Sequence, residues 1–200
     1  MADAQVDFGE TVTADVIQSA QGSEGAVFGG VFTLTCHDAD GNLKWEDTFH
    51  NLVVNQGLQD LNAKYFKGSA YTAAWYLGLV TGPGSGVTYS ATDTLATKTW
   101  TEFTSYTGGA TSSDRVTASF GTATSANPSV IATTTATGGG PAVYTITGSG
   151  TVAGAFLTTV QAKSATGGIL FSEKNFTGGD KTVASGDTVN VTYTFSAATP

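Results

Sequence analysis

Two histidines, one cysteine and a scatter of carboxylates are all that this 200-residue chain offers to chemistry. Nucleophilic catalysis needs a base beside a Ser, Thr or Cys, and the basic candidates are His37 and His50. Cys36 adjoins His37 in a stretch that alternates as a strand, so the two side chains diverge to opposite faces. His37 and His50 fall on the two arms of a predicted hairpin. Its centre, Asp40-Gly41, is the dipeptide that type I′ turns demand, and that register sets His37 opposite about Lys44 rather than His50. The run Asp38-x-Asp40-Gly41-Asn42 imitates the start of a calcium loop. An EF-hand loop, however, wants Gly at its sixth position and Glu at its twelfth, where this chain has Leu43 and Phe49. Both histidines therefore read as ordinary strand residues. Cys36 reads as a small buried one, and a lone thiol allows no internal disulfide.

Other chemistries fare no better. Glycoside hydrolysis needs two carboxylates at a set separation, and nothing selects a pair from Glu46, Asp47, Glu102, Asp114 and Glu173. The glycine-rich stretches lack the Lys-Ser/Thr of a phosphate loop. Aromatics could stack on a sugar, with Tyr71, Tyr89, Trp100 and Tyr106 as candidates, but aromatics also build β cores. No catalytic residue, metal or cofactor is expected, and the chain reads as a protein that is not an enzyme.

The elements that would position any site are mostly strands. One amphipathic stretch predicts a helix at about 56–66, with Asn55 as its N-cap and Gly68 as its stop. Leu58, Leu61, Tyr65 and Phe66 form its apolar stripe, taken as a core face. Trp75 to Val80 is nearly continuous in apolar residues and predicts a strand buried on both faces, one of them under the helix. Gly82 to Gly86 predicts a surface loop. From Thr188 to Ser196 the alternation is strict, with Val189, Val191, Tyr193 and Phe195 on one face. Short strands separated by Gly, Asn and Pro turns predict a mainly β fold: an antiparallel β-sandwich or jelly-roll-like domain with one short α-helix. Its core is expected to hold Trp45, Leu58, Leu61, Tyr65, Trp75, Leu77, Trp100, Phe156, Val191, Tyr193 and Phe195.

Residues 1–30 read separately from this domain of 31–200. The segment is acidic and glycine-broken, yet its apolar residues Val6, Phe8, Val12, Val16, Ile17, Val27 and Phe28 exceed what a solvating tail needs. It is expected to be an extended arm that lies on a partner. With 8 basic residues against 16 acidic ones, the chain cannot build a phosphate-neutralising patch, so no nucleic acid is expected. The acidic N-terminus does not read as a secretory signal, and no apolar run approaches the roughly 20 residues needed to span a bilayer. The expectation is a chain folded in a cytoplasm, without membrane.

The order of motifs goes further than any site. Phe49-His50-Asn51-Leu52-Val53-Val54-Asn55-Gln56-Gly57-Leu58 is followed by Ala74-Trp75-Tyr76-Leu77-Gly78-Leu79, Asp93-Thr94-Leu95 and Trp100-Thr101-Glu102. Then come Gly154-Ala155-Phe156-Leu157, Gly168-Ile169-Leu170-Phe171, Phe176-Thr177-Gly178-Gly179-Asp180 and the closing run from Gly186 to Phe195. From about Trp45 to Ala197 this resembles a group of small virion structural proteins of tailed bacteriophages. The resemblance implies a capsid decoration or cement protein that binds and stabilises the head shell after assembly in the host cytoplasm. Its partners would be the major capsid protein and neighbouring copies of itself, as a homo-oligomer in the particle. The alternative is a tail or fibre component, including a tip that binds a receptor or carbohydrate. The motifs are turn glycines and core aromatics, so the resemblance transfers no catalytic residue.

Overall fold

The strictest alternation in the sequence builds the longest partnership in the fold. In the computed structural model, which describes residues 27–71, 74–126 and 128–198, the last strand pairs with the first along its whole length. Strands β1 (Val27–His37), β2 (Leu43–His50) and β3 (Leu52–Val53) lead into helix α1 (Asn55–Tyr65) and β4 (Tyr76–Thr81). Four short strands follow: β5 (Glu102–Phe103), β6 (Tyr106–Thr107), β7 (Val116–Thr117) and β8 (Val130–Ala132). The chain closes with β9 (Ala142–Ile146), β10 (Gly150–Thr158), β11 (Leu170–Asn175), β12 (Lys181–Val183) and β13 (Thr188–Ala198).

These strands form two antiparallel sheets in a β-sandwich-like fold. One runs β2-β1-β13-β9-β6, with β8 on β13; the other runs β3-β11-β10-β4-β5, with β12 on β10 and β7 on β4. In the first, the register runs from Val27 opposite Ala198 to His37 opposite Thr188. Period-two alternation sends Phe32, Leu34 and Cys36 of β1, and Val189, Val191 and Tyr193 of β13, into one core. Leu77, Leu79, Ala155 and Leu157 meet them from the second sheet.

The second sheet is covered on its outer face as well, which is why β4 is buried on both sides. The cover differs from the expected one. Helix α1 packs on β11, not β4, and a Cβ added to its buried Gly57 would stand 2.7 Å from the Phe171 carbonyl oxygen. Over β4 lies the irregular strap 82–101, whose Leu95 and Trp100 pack with Val54, Val80, Phe156 and Leu170. Gly78 makes that packing feasible, since a Cβ there would fall 2.2 Å from the Phe156 ring.

Several expectations change at this level. Val27 and Phe28, assigned from sequence to an arm ending at Gly30, belong to β1. Gly30 does not break the chain; a Cβ there would lie 2.5 Å from the Tyr193 hydroxyl, so glycine makes room for that ring. Val6, Phe8, Val12, Val16 and Ile17 lie outside the described residues. The β1–β2 connection is a five-residue loop, Asp38 to Asn42, in which Gly41 N–H donates to the Asp38 carbonyl and Gly41 takes a φ of +86°. A bulge then pairs His37 with Leu43, while His50 pairs with Val31. The cap of α1 is Val54, without a side-chain bond, and Asn55 is already helical, its N–H donating to the Ala91 carbonyl of the strap.

The expected core divides unevenly. Leu77, Trp100, Phe156, Val191 and Tyr193 are buried; Trp45, Trp75 and Phe195 pack against the core from partly buried positions. Leu58 and Leu61 are half-buried. Tyr65 is the exception, 81% exposed, with Phe66 beside it at 77%. The stripe is real, but α1 packs on β11 and its C-terminal turn is left uncovered.

Candidate functional site

One end of the sandwich is left open where α1 overhangs it. The apolar side chains that line it are Leu61 and Tyr65 on α1, Tyr71 after it, Trp75 ahead of β4, Phe120, Ile131 of β8, and Leu157, Phe171, Tyr193 and Phe195 on β10, β11 and β13. They enclose a cleft of about 350 Å³, within the range of natural ligand sites. Tyr71 stands at 71% exposure and Tyr65 packs edge-on against Phe66, with centroids 5.0 Å apart, so the rim is a projecting aromatic cluster.

The cleft wall is a chain of ring contacts. Trp75 meets Phe171 edge-on at 5.3 Å, Phe171 meets Phe195 at 5.6 Å, and Phe28 stacks on Phe195 at 6.3 Å. Its polar lining is nearly self-contained. Lys64 and Asp60, one helical turn apart, pair at 3.3 Å, and the Lys64 ammonium also donates to the Ala70 carbonyl. At the floor, the Tyr193 hydroxyl accepts from Asn51 Nδ2 at 2.8 Å. Burial, with Asn51 and Ser172 opposing it, drives that phenol well above the usual range. Such a wall binds by removing apolar surface from water. Its one acid–base pair among the described lining residues, Asp60 and Lys64, is held within the helix.

Of the carboxylates of the sequence analysis, Glu46 is exposed on β2 and the other four are occupied elsewhere. Glu102 lies in a buried bidentate pair with Arg115, both bonds at 2.9 Å, and Glu102 Oε2 also accepts the Ser164 N–H. Asp47 accepts from Thr177 Oγ1 and Gly178 N–H and pairs with Lys181 at 3.4 Å. Asp114 caps the 111–114 turn and takes Gln161 Nε2. Glu173 sits under the strap, its Oε2 accepting from Trp100 Nε1. Burial and the facing Asp93 push its carboxyl up to about 8, against the pull of Trp100. Glu173 Oε1 has no donor facing it; a proton on that oxygen turns it into the donor to Asp93. Glu173 is thus a neutral acid at neutral pH, sealed from solvent.

The other candidates disperse. Cys36 is buried beside Asp187, its thiol raised to about 11 by burial and that carboxylate, so it is not a nucleophile. Asp38 accepts from the Asp40 and Asn42 backbone and so closes the loop on itself. Among the described residues no cluster of three or more metal-ligating side chains occurs. Of the proposed sugar platform, Trp100 and Tyr106 are buried, Tyr89 is half-buried and bonds Asn175, and Tyr71 is exposed. Sequence reasoning missed the cleft because Tyr65 and Phe66 were placed in the core. Their position after the last well-covered turn, next to a glycine stop, was the available signal. Comparison with family models and with curated proteins finds no match to this chain.

Proposed function

We propose that this chain is a non-enzymatic structural protein of a tailed-phage virion, most simply a decoration protein that seats its aromatic end on the head shell. The observation that carries the reading is the cluster of Tyr65, Phe66 and Tyr71, large rings left in water around an apolar cleft on a sparsely charged body. Contiguous exposed aromatics of this kind mark surfaces that are covered in the assembled state, and Tyr and Phe are enriched at the centres of protein interfaces. The rest of the molecule fits a passive building block: two packed antiparallel sheets, the first built on the full-length pairing of β1 with β13, with buried ionisable groups such as Glu102 and Arg115 committed to each other. Many equal contacts on a shell then multiply a modest single affinity. A carbohydrate-binding tip fits less well, since the cleft's one ion pair is self-satisfied and Trp100 is buried.

The test is the copy number of the chain in purified particles, measured by quantitative mass spectrometry against the major capsid subunit. A copy number comparable with the number of capsomers supports the proposal. A handful of copies per particle would place the chain in the tail and overturn it.

A further inference from the structure

We infer that the strap 82–101 is a proton-locked flap: a proton shared between Glu173 and Asp93 holds it down on the second sheet, and loss of that proton lets it lift while the sandwich stays folded. The first argument is how the strap is attached. It contains no helix or strand. Its two ends are clamped side by side, by the Thr81 N–H donating to the Thr101 carbonyl at 2.8 Å and by Val80 pairing with Glu102. Gly82 N–H bonds the Thr151 carbonyl at its base. Farther out it is tied down by Asn55 N–H to the Ala91 carbonyl, Gly84 to Asp180 and Asn175, Tyr89 to Asn175, and Trp100 Nε1 to Glu173 Oε2. A segment held mainly by side chains, without a strand ladder, opens locally before the whole fold does. The second argument is where Glu173 sits. It is 0% exposed beneath the strap, and the strands beside β11 place Leu52 and Phe156 opposite it. Beyond the Phe156 ring, the Arg115 guanidinium is committed to Glu102. Lys174, next along β11, lies 5.8 Å from the Tyr89 ring. The groups that face Glu173 come from the strap: Asp93, 7% exposed, Trp100, the Tyr89 phenol, and the Lys98 ammonium, 4.7 Å over the Trp100 ring.

The third argument is charge. With the proton in place, Glu173 Oε1 donates to Asp93 and both carboxyls are satisfied. Without it two buried carboxylates meet, with Lys98 as the facing cation, and like charges shut off from water repel. Lifting the strap separates them, returns Asp93 to water and uncovers Val80, Phe156 and Leu170. Burial and Asp93 hold the Glu173 carboxyl at about 8 in the closed form, against a usual 4.5. Between those limits the open form binds one proton fewer, so the opening equilibrium rises about tenfold per pH unit, roughly a thousandfold in all, and levels off above 8. The inference stands apart from the virion reading.

The test is hydrogen exchange of the intact chain between about pH 5 and 9, read by mass spectrometry on peptides from the strap and from β1 and β13, and corrected for the intrinsic exchange rate at each pH. Strap protection should fall about tenfold per pH unit up to 8 and level off there. At every pH it should lie below the protection of β1 and β13, which exchange only when the whole fold opens. Glu173→Gln should flatten the strap's profile. Asp93→Asn, which removes the facing charge, should make the profile level off at a lower pH. Strap protection that does not change with pH in the unsubstituted chain overturns the inference. Equal protection of the strap, β1 and β13 at each pH also overturns it, because Glu173 would then act on global unfolding alone. An unflattened profile in a folded Glu173→Gln protein assigns the proton to another group and overturns it as well. Should the Gln variant fail to fold, Asp93→Asn carries the assignment, and an unchanged levelling point there has the same consequence.

Discussion

Replacing Glu173 with Gln should make the protein more stable, but only on the alkaline side. The buried carboxyl ionises near 8 in the fold, against a usual 4.5. Between those limits the folded chain binds more protons than the unfolded one, so stability falls as pH rises. The contribution is fully present below about 4.5 and is lost as the pH climbs through 8. At about 1.4 kcal/mol per pH unit, the gap amounts to on the order of 5 kcal/mol. Gln keeps the geometry: its carbonyl accepts from Trp100 Nε1 and its amide donates to Asp93, with nothing left to ionise. Urea denaturation of both proteins from about pH 4.5 to 9 measures the difference directly, and titrating groups remote from Glu173 cancel in the comparison. The two stabilities should coincide near pH 4.5 and diverge upward, with the Gln variant several kcal/mol ahead at pH 9. Parallel curves would refute the reasoning, since Glu173 would then be ionised in the fold or titrate as it does in the unfolded chain.

Gly78→Ala should destabilise by about 1–3 kcal/mol, because the new methyl meets the Phe156 ring at 2.2 Å; thermal unfolding checks it. Arg115→Met should cost about 3–5 kcal/mol by stranding Glu102 without its partner, and adding Glu102→Leu should recover much of that loss, as read by denaturant midpoints. Tyr65→Ser or Phe66→Ser should change stability by no more than about 0.5 kcal/mol, where a core stripe would have lost several.

Strand identity was readable wherever one face is buried and the other wet. Val189, Val191 and Tyr193 alternate with Asn190 and Thr192, and the structure follows that pattern residue by residue. The existence of α1 was readable too, because its stripe has helical spacing. Which part of the stripe would be covered was not, since periodicity marks a face but carries no information about how far the neighbouring sheet extends. Tyr65 and Phe66 therefore look like core in the sequence and project from the fold. The strap 82–101 has no period at all, so Trp100 was equally compatible with a buried ring and an exposed sugar platform. The Glu102–Arg115 pair depends on two short strands and the 160–165 loop converging, which no local pattern announces. The N-terminal boundary slipped because Gly29 and Gly30 read as breakers. Gly30 is in fact demanded by a long-range contact, the Tyr193 ring.

Cosedimentation of the purified protein with purified head shells probes the proposed seating of the aromatic end on the shell. Binding should be saturable at a fixed ratio to capsid subunits, with the Tyr65→Ser, Phe66→Ser double variant folded as before but lost from the pellet. Absence of the unsubstituted protein from the pellet, or binding unchanged by the double variant, would contradict it.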